Sequence, residues 1–229
     1  MTSTLSVATA AQDVQALKGA WRSITPTSCP LHYNFHMHSV FSDGQLTPEQ
    51  IVDQAIAIGL SGFAITDHHT VNGFWQAQAY LAEQQKSQTQ PVPQLWTGIE
   101  INGVLLDTGV HILGYGFDPD HPDLEPYRQR EIQQGDRAAA QTIVAAIHQA
   151  GGLAVLAHPA RYRRPAQDLV PAAVEQGFDG IEAYYAYSNP NPWRSSDKHT
   201  AAMQTMGEQY NLWLTCGTDT HGCNLLRRL

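Results

Sequence analysis

The chain has 229 residues, of which 42% are hydrophobic, which is enough for one sizeable core but too few for several. We therefore expect one main domain over residues 31–229, preceded by an N-terminal helix and linker over residues 1–30. A total of 13 Lys and Arg against 21 Asp and Glu gives a formal net charge of -8, which argues against a broad basic surface for duplex DNA.

No stretch reaches the roughly 18 consecutive apolar residues of a membrane span, and no signal-peptide pattern opens the chain. The sequence therefore predicts a soluble, cytoplasmic protein without a membrane partner. Its 3 Cys residues lack the spacing of a thiolate zinc site, and their odd number indicates no disulfide framework. The unusual feature of the composition is its 11 His residues.

The first predicted element is a helix within residues 1–22, because Val14, Leu17 and Trp21 recur at helical spacing before the breakers of residues 23–30. From residue 33 onward, short apolar runs alternate with longer amphipathic stretches, as in strand–helix units around a mainly parallel sheet. The predicted strands cover residues 33–37, 62–66, 95–101, 110–116, 153–157, 180–184 and 212–216.

Helices are predicted in the connections between these strands. Thr47 is a candidate N-cap that forms a capping box with Gln50, and Gly59 is expected to end that helix. Residues 123–150 are expected to be a longer, mostly helical connection. The Gln-rich residues 84–94 are expected to be a frayed helix end and a solvated loop.

Residues that suit metal binding recur at the carboxyl ends of the predicted strands. Each has an ordinary explanation by itself, such as a turn at Asp43 or a strand end at His158. Their coincidence at one edge of an α/β fold favours a metal centre, because buried ionisable groups are costly unless something binds them. The candidate ligands are His36, His38, Asp43, His68, Glu100, His111, His158, Asp219 and His221.

The donor types limit the metal. Imidazole and carboxylate groups without thiolate suit manganese, zinc or iron better than calcium or magnesium. One ion would be over-supplied by so many ligands, whereas two or three ions would each receive three or four and keep room for water. We therefore expect two or three divalent metal ions as cofactors.

Six groups of residues occur in a fixed order along the chain: His36-Met37-His38 with Ser42-Asp43-Gly44, Thr66-Asp67-His68, Gly98-Ile99-Glu100, His111-Ile112-Leu113-Gly114, Ala157-His158-Pro159 and Gly217-Thr218-Asp219-Thr220-His221. Together they resemble the motifs of the polymerase and histidinol phosphatase (PHP) family over residues 34–222. Within that family the chain is most similar to stand-alone phosphoesterases of the 3',5'-nucleotide bisphosphate phosphatase and RNase AM type. The resemblance implies a distorted (β/α)7 TIM-like barrel holding up to three ions.

The resemblance also implies roles for individual residues. One ion would be bound by His36, His38, Glu100 and Asp219. A second would be bound by Glu100, His111 and His158, and a third by Asp43, His68 and His221. The residues expected to be catalytic are Asp43, His68, Glu100 and Asp219. Asp67, next to a ligand, would orient an imidazole.

The expected function is a metal-dependent phosphoesterase of the phosphatase or exonuclease type. Clustered divalent ions favour hydrolysis of phosphate esters by a metal-activated water, without a side-chain nucleophile. Arg161 is the candidate phosphate anchor, because its planar guanidinium can bind two oxygens, and Arg163 and Arg164 would extend that patch. The expected substrate is a nucleotide or a short single-stranded nucleic acid with a 5' end.

Two other functions stay open: a small-metabolite phosphatase such as histidinol phosphatase, and a non-catalytic metal-stabilised PHP module. Relatives acting on nucleotide bisphosphates usually carry a large insertion between the motifs of His111 and His158, where this chain has only the helical connection. His69 stands where many relatives have Asp, Asn or Ser, and no role is assigned to it. The helix around residues 14–21 is expected to cover the barrel.

Overall fold

The computed structural model describes residues 10–87 and 92–229. Residues 1–9 of the predicted first helix and residues 88–91 of the predicted Gln-rich loop lie outside the described residues. The strands within the described residues are β1 (Tyr33–Asn34), β2 (Gly62–Ala64), β3 (Gln94–Trp96), β4 (Gly98–Leu105), β5 (Thr108–Tyr115), β6 (Leu153–Leu156), β7 (Gly180–Tyr184) and β8 (Trp213–Cys216).

The α-helices alternate with most of these strands. They are α1 (Val14–Arg22), α2 (Pro48–Ile58), α3 (Asn72–Ser87), α4 (Ala140–Gln149), α5 (Ala166–Glu175) and α6 (Asp197–Tyr210). In the part of the chain that is described, no helix combines the length and the apolar character that crossing a membrane would require.

The strands close into a distorted barrel with seven strand positions, as predicted. Parallel strands β1, β2 and β3 form one sheet, and β4 to β8 form the other in chain order. An isolated bridge between Met37 and Thr220 joins the segments that follow β1 and β8, and a bridge between His68 and Glu100 joins the β2 side to β4. Because only Thr97 separates β3 from β4, these two strands occupy one position in the ring.

The predicted strand over residues 95–101 is therefore two strands, and the sheet around them is less parallel than predicted. β4 pairs with β5 as an antiparallel hairpin that ends where Leu105 lies opposite Thr108, and β5 is also antiparallel to β6. Leu106 and Asp107 form the turn with φ angles of 49° and 59°. Such turns favour Asn-Gly or Asp-Gly, so this pair of residues gives no hairpin signal in the sequence.

The connection over residues 123–150 contains less α-helix than predicted. Pro122–Tyr127 and Gly135–Ala138 are short 3-10 helices, and α4 is the α-helical part of the connection. Pro126 has no N–H to donate, so the first segment does not continue as an α-helix. Residues 128–134 are left as irregular chain.

The start of α2 has the predicted capping box. Gln50 N donates to Thr47 Oγ1 at 3.3 Å, and Thr47 N donates to Gln50 Oε1 at 2.9 Å. Gly59 ends the helix in the left-handed region, with a φ of 81°. The helix thereby returns the chain so that β2 runs parallel to β1, with both carboxyl ends at the same edge.

Helix α1 packs on the apolar interior of the barrel. Leu17 is fully buried, and the ring of Trp21 makes edge contacts with Phe35 and Tyr115 at centroid distances of 6.2 Å and 5.6 Å. All four side chains belong to one hydrophobic cluster. The helix and the barrel therefore share a core, and the helix covers the barrel as expected.

Candidate metal centre

The segments that follow β1 and β8 place two imidazoles beside a carboxylate. His38 N donates to Thr220 O at 3.0 Å, and Asp219 N donates to His36 O at 2.8 Å. His36 and His38 are two residues apart in extended chain, so their side chains point the same way. Their Nε2 atoms lie 3.4 Å and 3.2 Å from Asp219 Oδ1, and all three side chains are buried.

Glu100, near the start of β4, is the centre of the cluster. Its Oε2 lies 3.0 Å from His36 Nε2, 3.1 Å from His38 Nε2 and 3.5 Å from His68 Nε2. The backbone bridge between His68 and Glu100 fixes this arrangement. With 1% of its surface exposed, Glu100 is a buried anion that several imidazoles share.

The other carboxylate oxygen of Glu100 faces two more imidazoles. His111 Nδ1 lies 2.8 Å from Glu100 Oε1, and His158 Nε2 lies 3.6 Å from the same atom. The antiparallel pairing of β4 with β5 brings His111 close, while His158 follows β6, the next strand in the sheet. The hairpin that the sequence did not predict is therefore part of the site.

Asp43 approaches the cluster from the loop after β1. Its Oδ2 lies 3.2 Å from His221 Nε2 and 3.9 Å from His68 Nε2, and its Oδ1 lies 3.5 Å from His38 Nδ1. His221 Nδ1 donates to Asp219 O at 2.7 Å, so Nε2 is the ring nitrogen that faces Asp43. Asp43 is 53% exposed and is the most accessible carboxylate of the cluster.

All the predicted ligands thus converge, and three groups of them offer donor atoms within 4.8 Å of one another. Such groups could each hold a metal ion. The groups are His36, His38, Glu100 and Asp219; His38, Asp43, His68 and His221; and His68, Glu100 and His111. His158 lies close to Glu100 but outside these groups.

Unpaired nitrogen atoms indicate that this donor set fits a cation. His38 Nδ1, His68 Nδ1 and both ring nitrogens of His158 are buried and form no hydrogen bond with any residue that the structure describes. A buried polar atom without a partner costs about 1–3 kcal/mol. Imidazole nitrogens and carboxylate oxygens are the ligands of zinc, manganese and iron, so the residues present fit a divalent metal centre.

The electrostatics of the cluster favour positive charge. Burial alone would raise the pKa of Glu100, but the charges of His36 and His111 hold that pKa well below its usual range. Burial lowers the pKa of His38, yet its bonds to Asp219 and Glu100 raise that pKa to about 9. The carboxylates therefore stay ionised and attract cations.

His68 differs from its neighbour His38. Burial is the main reason that the pKa of His68 falls to about 4, and the charges on His38 and His111 lower it further. The hydrogen bond from His221 holds the pKa of Asp43 below its usual range. His68 is therefore a neutral imidazole, the form that binds metals, between ionised carboxylates.

Asp219 is also held from its other side. Its Oδ2 accepts hydrogen bonds from Arg228 Nε at 2.8 Å, Tyr185 Oη at 2.8 Å and Arg161 Nη1 at 3.2 Å. Its Oδ1 is left to face the imidazoles of His36 and His38. The predicted phosphate anchor Arg161 therefore lies at the site, with its side chain 43% exposed.

Asp67 has different partners from those expected. Instead of an imidazole, its carboxylate accepts hydrogen bonds from Ser39 N and Ser39 Oγ, both at 2.6 Å, and from Ser42 Oγ at 2.8 Å. These bonds fold the loop that carries Asp43. The expectation that Asp67 orients an imidazole is wrong, because the serines after His38 reach its carboxylate.

The sequence reasoning missed Glu182, in β7. Glu182 Oε1 accepts from His36 Nδ1 at 2.9 Å, and its Oε2 accepts from His158 N at 2.9 Å. Tyr185 and Arg228, the partners of Asp219, were also missed. An acid in an otherwise apolar strand was the available signal for Glu182, whereas no sequence pattern marks Arg228.

His69, to which no role was assigned, supports the backbone near Glu100. Its backbone N–H donates to Glu100 O at 3.0 Å, and its Nε2 lies 2.8 Å from Asn102 Oδ1 and 3.3 Å from Asn102 N. His69 is 3% exposed. It is thus a buried neighbour of the cluster that links the loop after β2 to β4.

The fold and the site together define an α/β barrel protein with a clustered histidine and carboxylate centre able to bind metal. The model of the PHP domain family matches residues 34–186, about two thirds of the sequence. The chain belongs to the PHP domain family.

Curated relatives include enzymes acting on RNA and on nucleotides. The 5'-3' exoribonuclease Rnm of Salmonella typhimurium is 24% identical, with 87% of this chain and 88% of the relative covered. The 3',5'-nucleoside bisphosphate phosphatase of Chromobacterium violaceum is 33% identical over 52% of this chain and 39% of the relative.

Solved structures show the same fold. A protein from Bifidobacterium adolescentis, assigned by inference as a metal-dependent phosphoesterase, has a TM-score of 0.67 at 22% identity and covers 84% of this chain and 88% of its own. An amidohydrolase from Chromobacterium violaceum with bound sulfate and no metal has a TM-score of 0.68 at 21% identity, covering 83% of this chain and 88% of its own.

Proposed function

We propose that this chain is a metal-dependent phosphoesterase that hydrolyses phosphate esters of a nucleotide or of a single-stranded nucleic-acid 5' end. The observation that supports it most is Glu100, a buried carboxylate with imidazole nitrogens within 3.6 Å on both of its oxygens. The PHP relatives include an exoribonuclease and a nucleotide phosphatase.

Two or three divalent ions of manganese, zinc or iron are proposed as cofactors. The proposed ligands of one ion are His36, His38, Glu100 and Asp219. Those of a second are Glu100, His111 and His158, and those of a third are Asp43, His68 and His221. When bound, the ions would polarise phosphoryl oxygens and lower the pKa of a water molecule. The residues proposed to be catalytic are Asp43, His68, Glu100 and Asp219.

The chain's own hydrogen bonds prepare the imidazoles for this role. Glu182 Oε1 accepts the proton of His36 Nδ1 at 2.9 Å, so Nε2 would be the nitrogen free to bind a metal ion in the cluster. His221 Nδ1 likewise donates to the carbonyl oxygen of Asp219 at 2.7 Å, which leaves Nε2 to face the cluster. Partners of this kind raise the basicity of a ligating imidazole and fix its ring.

Arg161 is proposed to bind the phosphate. Its side chain is 43% exposed, and its Nη1 lies 3.2 Å from Asp219 Oδ2, at the margin of the cluster. A planar guanidinium can donate two parallel hydrogen bonds to phosphate oxygens. The phosphate would thus be held by Arg161 on one side, beside the donor atoms of the cluster.

Replacement of Asp219 tests the proposal. We expect Asp219→Asn to lower kcat by more than about 100-fold, the upper range for residues that merely support a ligand. The assay is hydrolysis of nucleotides and of 5'-phosphorylated oligonucleotides with added manganese. The matched control is Asp120→Asn, whose side chain is 73% exposed and which should retain activity. Full activity of Asp219→Asn would contradict the proposal.

Two outcomes would favour the other functions. Faster hydrolysis of histidinol phosphate than of any nucleotide would indicate a small-metabolite phosphatase. Metal found by elemental analysis of protein purified without chelator, together with no hydrolysis of any phosphoester, would indicate a non-catalytic module.

A further inference from the structure

We propose that a cavity beside the candidate metal centre binds the nucleoside part of the substrate, and that Arg130 and Ile132 determine the preference for nucleotides over phosphate esters without a base. The cavity has a volume of about 410 Å³, within the usual range for small-molecule sites. This inference rests on the proposed function and names the substrate group that it requires.

The position of the cavity follows from its walls. Asp43, His68 and His111 line it and also belong to the candidate metal centre. A phosphate bound at that centre therefore has this cavity beside it, and the group esterified to the phosphate can enter. Asn102, between Glu100 and the hairpin turn, adds a side-chain amide that can hydrogen-bond with a base or a ribose.

The mouth of the cavity has the chemistry of a base-binding site. Ile132 is 64% exposed, so its apolar side chain is accessible to a bound ligand. Arg130 is also exposed and forms no ion pair with any residue in 10–87 or 92–229. A planar guanidinium stacks on a base, and an aliphatic side chain packs against its face.

The backbone fixes Arg130 at this place. Its φ is +60°, a region that non-glycine residues adopt only when the surrounding structure holds them there. The holding contact is a hydrogen bond of 2.8 Å from Arg130 N to His69 O. The irregular segment 128–134 is thereby tied to the residue after His68, so Arg130 keeps its place beside the cluster.

A larger groove of about 550 Å³ fits a nucleotide less well. Arg163 and Arg164 line it, but so do Asp107 and Asp168. Arg164 already donates to Thr108 Oγ1 at 3.3 Å. The carboxylates of Asp107 and Asp168 would repel the phosphate groups of a nucleotide. None of the residues lining that groove belongs to the three candidate ligand groups.

Two substrates separate the contribution of the base from that of the phosphate. The metal-loaded enzyme is assayed with adenosine 5'-monophosphate and with ribose 5-phosphate. The KM for ribose 5-phosphate divided by the KM for adenosine 5'-monophosphate measures base recognition. We expect the wild type to have a KM at least about tenfold lower for the nucleotide. Arg130→Ala and Ile132→Ser should each reduce this ratio to below about threefold. The matched controls Arg194→Ala and Val104→Ser, exposed residues outside the cavity, should preserve it.

Equal KM values in the wild type, or an unchanged ratio in both variants, would overturn this inference while leaving the phosphoesterase function intact. Binding of adenosine, measured by calorimetry, is the second readout because it requires no turnover. If neither ester is hydrolysed, the proposed function fails, and the binding of adenosine measured by calorimetry then tests whether the cavity holds a nucleoside. A dissociation constant raised at least fivefold by Ile132→Ser supports the cavity, and an unchanged constant overturns it.

Discussion

Glu182 is outside the three candidate ligand groups, yet it contacts two of the predicted ligands. One oxygen accepts the proton of His36 Nδ1, and the other accepts from the backbone N–H of His158. The backbone of His158 has a φ of +29°, so the bond from its N–H helps to hold a strained conformation. The carboxylate of Glu182 therefore fixes both the proton position on His36 and the backbone of His158, which follows β6.

Replacing Glu182 tests this positioning role. Glu182→Gln keeps the shape of the side chain but removes the charge that favours a proton on His36 Nδ1. We expect a 10–100-fold loss of metal affinity, the range measured when partners of ligating imidazoles are removed. The measurement is a metal titration of chelator-treated protein. Glu208→Gln, at an exposed position, is the control, and equal affinity in both variants would contradict the role.

At the scale of single residues, the sequence predicted the clustering of ligands better than the contacts that support them. His36, His38 and Asp219 could be predicted because they follow strands, and parallel strand ends meet at one edge. Glu182 lies within its strand, and sequence alone does not show which face an isolated acid takes. The serine partners of Asp67 are more than twenty residues away in the chain, so only the three-dimensional structure shows that they contact it.

The β4–β5 hairpin shows where element prediction fails. Both strands were predicted in part, but their pairing depends on the turn at Leu106 and Asp107, which lacks glycine. The helix start at Thr47 was predicted because its capping signal is local in the chain. Local chemistry could thus be predicted, whereas strand pairing across a turn without glycine could not.

Helix α4 is joined to the residue before strand β7 by a pair of side chains. His148, in the last turn of α4, lies 2.8 Å from Asp179 Oδ2 through its Nε2, and the same oxygen accepts from Ala154 N at 2.8 Å. The hydrogen bond to Asp179 raises the pKa of His148. Protonated His148 also lies near the negative end of its helix.

The contribution of His148 to stability should depend on pH. Its pKa is raised above the unfolded value of about 6.5, so the stabilisation is fully present below about pH 6.5 and is lost as the pH rises through the folded value. For a partly exposed pair we expect about 0.5 kcal/mol. The measurement is urea unfolding of wild type and His148→Gln at pH 5.5 and pH 9.

The difference between wild type and His148→Gln should be larger at pH 5.5 than at pH 9. His32→Gln, at an exposed histidine, is the control for a general effect of losing an imidazole. A difference that is the same at both values of pH would show that the pair contributes no charge-dependent stability.

For the molecule as a whole, the relation between α1 and the barrel bears on the domain boundary. The sequence suggested a helix and linker over residues 1–30 that precede the main domain over residues 31–229 and cover its barrel. Leu17 and Trp21 share one hydrophobic cluster with Phe35 and Tyr115 of the barrel. We propose that α1 and the barrel fold as one cooperative unit.

Replacing Leu17 tests this unit. Leu17→Ala should lower the free energy of unfolding by about 2–5 kcal/mol, the range for leucine removed from a packed core. Chemical denaturation followed by circular dichroism measures it, and one transition is expected. Gln15→Ala, on the exposed face of α1, should change stability by less than about 0.5 kcal/mol. Loss of α1 in a separate, earlier transition would contradict the proposal.

The three donors on Asp219 Oδ2 bear on how a reaction cycle would run. Arg228 and Tyr185 reach this atom at 2.8 Å, whereas Arg161 is the longest contact, at 3.2 Å. Arg161 can therefore turn to an incoming anion while Arg228 and Tyr185 keep the carboxylate of Asp219 in place. Phosphate substrates could then bind and leave repeatedly without a rearrangement of the buried residues around Asp219.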